Sequence, residues 1–240
     1  MPTPRLDGRR ADQIRPLSFH RGWLPGVPGS VLANAGGTRI LCTAIVQDGV
    51  PPFLVGSDQG WVTAEYSMLP GSTGERRARD RGRTDGRSVE IQRLVGRALR
   101  AIVNRKAFPG RTVWVDCDVL AADGGTRTTA INAAWVALHD AFADLRARGV
   151  ALRGQPLADS VRAISVGLVD GSLLADLSYY EDSQAEVDLN LVMTGSGRLV
   201  EVSGGAERGS FTLEQFQAIM DLGQTALQEV GAAQLAATSA

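Results

Sequence analysis

The chain is poor in the residues that covalent catalysis and extracellular stability depend on. It has two cysteines in 240 residues, Cys42 and Cys117, far apart in sequence and each inside an apolar, strand-like run. That excludes a disulfide scaffold and predicts reduced, buried thiols in a cytoplasmic protein. It has two histidines, His20 and His139, which share no motif. No cysteine–histidine spacing suits zinc, and no Ser/His or Cys/His constellation offers a nucleophile. No run of about 18 apolar residues exists to cross a membrane, and the first residues lack a signal-peptide hydrophobic stretch. Lysine is almost missing: Lys106 is the single exception among 25 basic residues. What the chain does have is 44% hydrophobic residues, 28 glycines and a large complement of arginine. A sizeable core is therefore expected.

The net charge of −1 conceals a strong asymmetry. Between positions 75 and 106 there are eleven basic residues against four acidic ones; from position 150 onward there are twelve acidic residues against four arginines. Arg76, Arg77, Arg79, Arg81 and Arg83 sit in a glycine-rich segment, 71–86, with almost no large apolar side chain. Such a segment reads as a loop, and an arginine-rich loop suits a phosphate backbone; the plainer alternative is a solvated surface loop. A helix follows. Ile91, Leu94, Val95, Ala98, Leu99 and Ile102 form its apolar stripe, while Arg93, Arg97 and Arg100 fall on another face. Arg87 stands at the start of this helix, where a cation is unfavourable with the helix dipole unless an anion binds there.

Segment 112–120 alternates: Val113, Val115, Cys117 and Val119 face one way, Asp116 and Asp118 the other. After it come Asp123, Gly124, Gly125, Thr126 and Arg127, and then a helical spacing of Ile131, Ala134, Trp135 and Leu138. Two glycines between a strand and a helix let the backbone turn and bare its N–H groups. The first helical turn adds unpaired donors and partial positive charge, so the loop can hold an anion. Arg127 adds a guanidinium that matches paired phosphate oxygens. The competing reading is an ordinary strand–helix turn capped by Thr126.

The acidic half carries a pair of carboxylates. Segment 172–177 reads as a strand, and 186–194 alternates with Val187, Leu189, Leu191 and Met193 on one face and Asp188 and Asn190 on the other. If Asp182 and Asp188 shared one straight strand they would lie about 20 Å apart. If Asp182 belongs to a loop that folds back, the two can share Mg²⁺ or Mn²⁺; ordinary hairpin acids are the alternative. Elsewhere, Gly36-Gly37 between two strand-like runs signals a hairpin, 61–66 is a short strand, and 161–169 and 197–202 complete the second half. Thr212 to Gln215 is a capping box opening a terminal helix. Residues 232–240 are expected to form a flexible, frayed tail. The order of strands and helices, repeated twice, predicts two α/β halves packed as one body.

Several long phrases give the chain a resemblance. These are Arg15-Pro16-Leu17-Ser18-Phe19, Gly60-Trp61-Val62-Thr63-Ala64-Glu65-Tyr66, Gly86-Arg87-Ser88-Val89-Glu90-Ile91-Gln92-Arg93-Leu94, Asp123-Gly124-Gly125-Thr126-Arg127-Thr128 and Tyr180-Glu181-Asp182-Ser183-Gln184-Ala185-Glu186-Val187-Asp188. In this order they resemble the RNase PH family of phosphorolytic 3′-exoribonucleases, from near Asp7-Gly8-Arg9 to the terminal helix. The resemblance implies an α/β (α+β) ribosomal protein S5 domain 2-like fold of mixed sheets with packed helices, a single catalytic domain over 1–240. It implies phosphate-dependent 3′-to-5′ trimming of tRNA precursors, with rRNA and other structured 3′ ends as further substrates. The products would be nucleoside 5′-diphosphates, and nucleotide addition to 3′ ends would be the reverse reaction. It implies a homohexamer, a trimer of dimers. Phosphate binding is carried onto Arg87, Gly125, Thr126 and Arg127, catalysis and Mg²⁺ or Mn²⁺ onto Asp182 and Asp188. RNA contact falls on Arg76, Arg77 and Arg79, with Arg93 and Arg97 on the helix behind them. A non-catalytic RNA-binding ring subunit of the same fold is the alternative. The chain departs from the family's pattern at Gly71, at Ala121-Ala122 and at Ser203-Gly204-Gly205.

Overall fold

The computed structural model describes residues 5–78 and 85–239. A five-stranded sheet comprises β1 (Leu17–Arg21), β2 (Ser30–Ala35), β3 (Thr38–Asp48), β4 (Trp61–Met68) and β5 (Arg111–Ala121), in the order β1-β2-β3-β5-β4. All neighbours are antiparallel except β4 and β5, which run parallel. That parallel pair needs a crossover, and α1 (Gly86–Ile102) supplies it. A four-stranded antiparallel sheet comprises β6 (Val161–Val169), β7 (Ser172–Ala175), β8 (Val187–Thr194) and β9 (Leu199–Ala206), in the order β7-β6-β8-β9.

The helix α2 (Thr126–Ala147) lies between the two sheets, against β2, β3 and β5 on one side and β6 on the other. Its first four turns are therefore buried nearly all round, including Thr128, Thr129 and Asn132. Asn132 meets this with a reciprocal pair to Ala163: its amide donates to the Ala163 carbonyl at 2.9 Å and its oxygen accepts from the Ala163 N–H at 2.8 Å. The single turn α3 (Tyr179–Asp182) joins β7 to β8, and α4 (Leu213–Thr238) covers β6 and β7. One core lies around α1, α2 and the first sheet, a second between α4 and the second sheet. Cys42 and Cys117 face each other across β3 and β5, buried and free, with Sγ atoms 3.6 Å apart.

One expected boundary is corrected. The segment expected as a tail is the last two turns of α4 through Thr238. Gln234, 1% exposed, holds it down by donating to the carbonyls of Asn132 and Val161. Alanine-rich sequence, compatible with a frayed end, is equally strong helix former once one anchor fixes it.

Candidate active site

The carboxyl end of β5 leads into Asp123, Gly124 and Gly125, and α2 begins at Thr126. Both glycines are left-handed, at φ +72° and +62°. A Cβ on Gly124 would lie 2.6 Å from the Leu177 carbonyl oxygen and 2.7 Å from the Tyr179 nitrogen, so only glycine fits. Thr38 pins the loop: its hydroxyl donates to the Gly124 carbonyl at 2.7 Å and accepts from the Asp123 N–H at 2.9 Å. Gly125 caps α2 without a side chain, so the first-turn donors face the cleft rather than a capping oxygen. Thr126 does not cap the helix. Its hydroxyl accepts from the buried Tyr66 Oη at 3.0 Å. Arg127 donates to Glu90 Oε1 on α1 at 3.1 Å, which fixes its guanidinium at the cleft.

Arg87 enters from the first turn of α1. Asp85 caps that helix, accepting from the Ser88 N–H at 2.8 Å and the Ser88 hydroxyl at 3.0 Å. From the other half, α3 folds back over the start of β8 and brings Asp182 into the same cleft as Asp188. Arg87, Gly125, Thr126, Arg127, Asp182 and Asp188 thus line one cleft of about 160 Å³. Burial pushes the Asp188 carboxyl up to about 6, and the neighbouring Asp182 charge adds to the shift. Burial also raises Asp182, against the pull of Arg87 and Arg127. Asp188 Oδ1 is buried with no hydrogen-bond partner. An orphaned carboxylate oxygen beside a second carboxylate fits a hard divalent cation. Among the described residues no group of three or more His, Cys, Asp and Glu forms a metal cage. An ion held here would complete its shell with water and substrate oxygens, as Mg²⁺ usually does.

The arginines expected at RNA separate into three groups. Arg76, Arg77 and Arg93 are exposed. Arg77 lies 3.8 Å from Asp85 at the start of α1, and its backbone N–H donates to the Pro70 carbonyl. Arg97 is forked onto Glu201 of β9 at 2.9 and 2.7 Å, so its charge is already partnered. Arg79 lies outside the described residues. Sequence reasoning missed Glu207, Ser165 and Asn190, which also line the cleft. Glu207 follows β9 in a turn and carries no local signature of its own.

A glycine loop at a helix start, in one cleft with two arginines and a carboxylate pair, offers groups for both an anion and a cation and so suits phosphoryl chemistry. The chain belongs to the 3′ exoribonuclease family: the model of that family's domain 1 matches residues 13–143 and that of domain 2 matches 159–226. Within it, the chain falls with ribonuclease PH. It is 48% identical to ribonuclease PH of Bacillus pumilus, covering 98% of each chain. It is 50% identical to that of Moorella thermoacetica, covering 96% of this chain and 92% of the other. Solved structures share the fold at lower identity. Rice Rrp46 superposes with a TM-score of 0.76 at 22% identity, over 96% of this chain and 98% of the other. An Archaeoglobus fulgidus exosome with RNA bound to the active site superposes with 0.79 at 20%, over 95% and 91%.

Proposed function

We propose that inorganic phosphate binds Arg87, Arg127 and the backbone donors of Gly125 and Thr126, and attacks the terminal phosphodiester of an RNA whose 3′ end lies against Asp182 and Asp188. The enzyme is a phosphate-dependent 3′-exoribonuclease; these residues are the means by which it works. The observation that carries the reading is the facing of an uncapped helix start and two arginines against a carboxylate pair with an orphaned oxygen.

Two anions must meet. The arginines and the helix N-terminus neutralise and orient the incoming phosphate. Mg²⁺ or Mn²⁺ on Asp182 and Asp188 would stabilise negative charge on the scissile phosphate and the leaving oxygen. An oxygen of hydrogenphosphate bonds to the terminal phosphorus, and the bond from that phosphorus to the ribose 3′-oxygen breaks. The proton that hydrogenphosphate carries ends on the leaving 3′-oxygen, with a carboxyl of the pair placed to relay it. The products are a nucleoside 5′-diphosphate and an RNA one residue shorter. One phosphate linkage replaces another, so the reaction runs in both directions. Tyr66 and Glu90 hold Thr126 and Arg127 in place for this role.

The substrates are tRNA precursors and other structured 3′ ends, drawn in by Arg76, Arg77, Arg79 and Arg93. Arg97 serves the contact between α1 and β9. The working form is a homohexamer, a single catalytic unit repeated in a cytoplasmic ring. The test is a labelled 3′-tailed tRNA precursor incubated with and without phosphate. Nucleoside diphosphates, formed only with phosphate, are expected. Monophosphates released in phosphate-free buffer would refute the mechanism. A chain that bound the precursor without degrading it would favour the non-catalytic ring subunit.

A further inference from the structure

We propose that the N-terminal segment, residues 5–16, is a clamp that sets the phosphate loop against the Asp182 turn, with Arg15 as its central positioning residue. The proposal rests on the reading of those two loops as the phosphate and carboxylate ends of the active site.

Arg15 is 4% exposed. Its Nε donates to Asp176 Oδ2 at 2.9 Å and its Nη2 to Oδ1 at 2.7 Å, a two-pronged fork. Its backbone N–H donates to the same carboxylate at 2.7 Å. The remaining arm, Nη1, donates to the carbonyl of Asp123, the residue just before Gly124. Arg15 thus ties the phosphate loop to the segment between β7 and α3. Arg5 makes the second tie. Its Nε and Nη2 fork onto Glu181 at 2.7 and 2.8 Å, and it also donates to the carbonyls of Ala175 and Asp176 at 2.9 Å each. Glu181 immediately precedes Asp182. Arg9 spans the two carboxylates, 3.6 Å from Asp176 and 3.5 Å from Glu181.

The loops so tied also touch directly. The Tyr179 N–H donates to Asp123 Oδ1 at 3.3 Å, and Gly124 packs on the Leu177–Tyr179 backbone. Asp176 itself is left-handed, at φ +53°. That conformation is unusual for a residue with a side chain and persists where the surroundings over-determine it.

None of the three arginines lines the cleft. Their task is therefore indirect. Burying several guanidiniums with two carboxylates is a poor way to gain stability, because apolar residues of similar volume often do as well or better. What forks provide is direction: each fixes two atoms relative to two others. Here the fixed atoms flank Gly124 on one side and Asp182 on the other, two sites contributed by different halves of the molecule.

The test is steady-state phosphorolysis of a labelled RNA by the full chain, with titrations of phosphate and of Mg²⁺, beside thermal melts. Arg15→Lys keeps the charge but cannot hold both Asp176 oxygens and the Asp123 carbonyl. It is expected to raise the half-saturating phosphate concentration tenfold or more while leaving the KM for RNA within twofold. Asp176→Asn breaks the same fork and should do likewise; it carries the test if the lysine variant fails to fold. Glu181→Gln should instead raise the half-saturating Mg²⁺ concentration and leave phosphate saturation within twofold. Arg127→Ala is run in parallel. If Arg127→Ala leaves phosphate saturation unchanged, the assignment of the phosphate site is wrong and the clamp falls with it. If Arg127→Ala loses phosphate saturation but Arg15→Lys and Asp176→Asn melt earlier with phosphate saturation intact, the segment only stabilises the fold and the clamp is overturned.

Discussion

Asp188 shows how one residue carries both a cost and a function. In the unfolded chain its carboxyl has an ordinary value near 3.8; in the fold burial and Asp182 hold it at about 6. The folded state therefore binds this proton more tightly. Stability contributed by the neutral carboxyl is present at low pH, and falls as pH rises between about 4 and 6. Above 6 the full charge penalty persists, about 3 kcal/mol for a rise from 3.8 to about 6. Without divalent ions, Asp188→Asn should raise the unfolding free energy at pH 7.5 by up to about that amount. The gain should vanish near pH 4. Urea melts in chelator at the two pH values decide it; a variant less stable than the parent at pH 7.5 would show that no such penalty exists. Arg127 is the complementary residue. Losing one electrostatic donor at such a site costs about 10²–10³ in turnover, so Arg127→Ala should fall by that much. Arg127→Lys should not recover it, because an ammonium cannot both meet Glu90 and fork a phosphate. Near-parental activity of the lysine variant at low phosphate would count against the assignment.

Among the elements, α1 and the arginine-rich segment before it divide two tasks. Arg87 of α1 lines the cleft, whereas Arg76 is exposed and does not line it. Replacing Arg76 and Arg79 with alanine should weaken binding of a long RNA and flatten its salt dependence, since each phosphate contact adds to the salt slope. Phosphate saturation on a very short oligonucleotide should barely move. Loss of phosphate dependence with RNA affinity intact would place the segment inside the active site instead. The elements themselves were legible where periodicity is local. The β2–β3 hairpin, the alternation of β5 and β8, the stripe of α1 and the capping box of α4 follow from neighbouring residues. The loop at Gly124 and Gly125 was legible for the same reason, as a glycine pair between strand and helix. What escaped depends on distant partners. Whether Asp182 reaches Asp188 turns on α3 folding back. The burial of α2 on every side requires a second sheet that its own spacing cannot announce. The fork of Arg97 onto Glu201 could not be read from its neighbours, because Glu201 lies 104 positions away. Arg15 stands in one of the phrases that carry the resemblance, yet nothing near it announced its fork onto Asp176, which is 161 positions distant.

At the scale of the whole molecule, the layers formed by the described residues leave one face of the five-stranded sheet uncovered. The helices α1 and α2 cover one face of the five-stranded sheet, and α2 is covered in turn by the second sheet and α4. On the sheet's other face Ile45 and Trp114 are direct cross-strand neighbours, 42% and 39% exposed, with Thr43, Asp116 and Asp118 between them and the part-exposed Leu32, Leu41 and Leu120. Such a patch on a single chain is a cost in water and favours association. Association also serves the proposed chemistry. One arginine-rich segment neutralises few phosphates, whereas several around a ring would hold a long structured RNA while one 3′ end enters a cleft, an effect of raised local concentration rather than of new contacts. The expected state at micromolar concentration is therefore a hexamer, dissociating to dimers or smaller species under stress. Dissociation should reduce trimming of tRNA precursors more than phosphorolysis of short oligonucleotides, because the short substrate depends mainly on Arg87, Arg127, Asp182 and Asp188. Light scattering across a dilution series, with both substrates assayed at each step, checks this. A monomer at every concentration with full activity on tRNA precursors would contradict the ring.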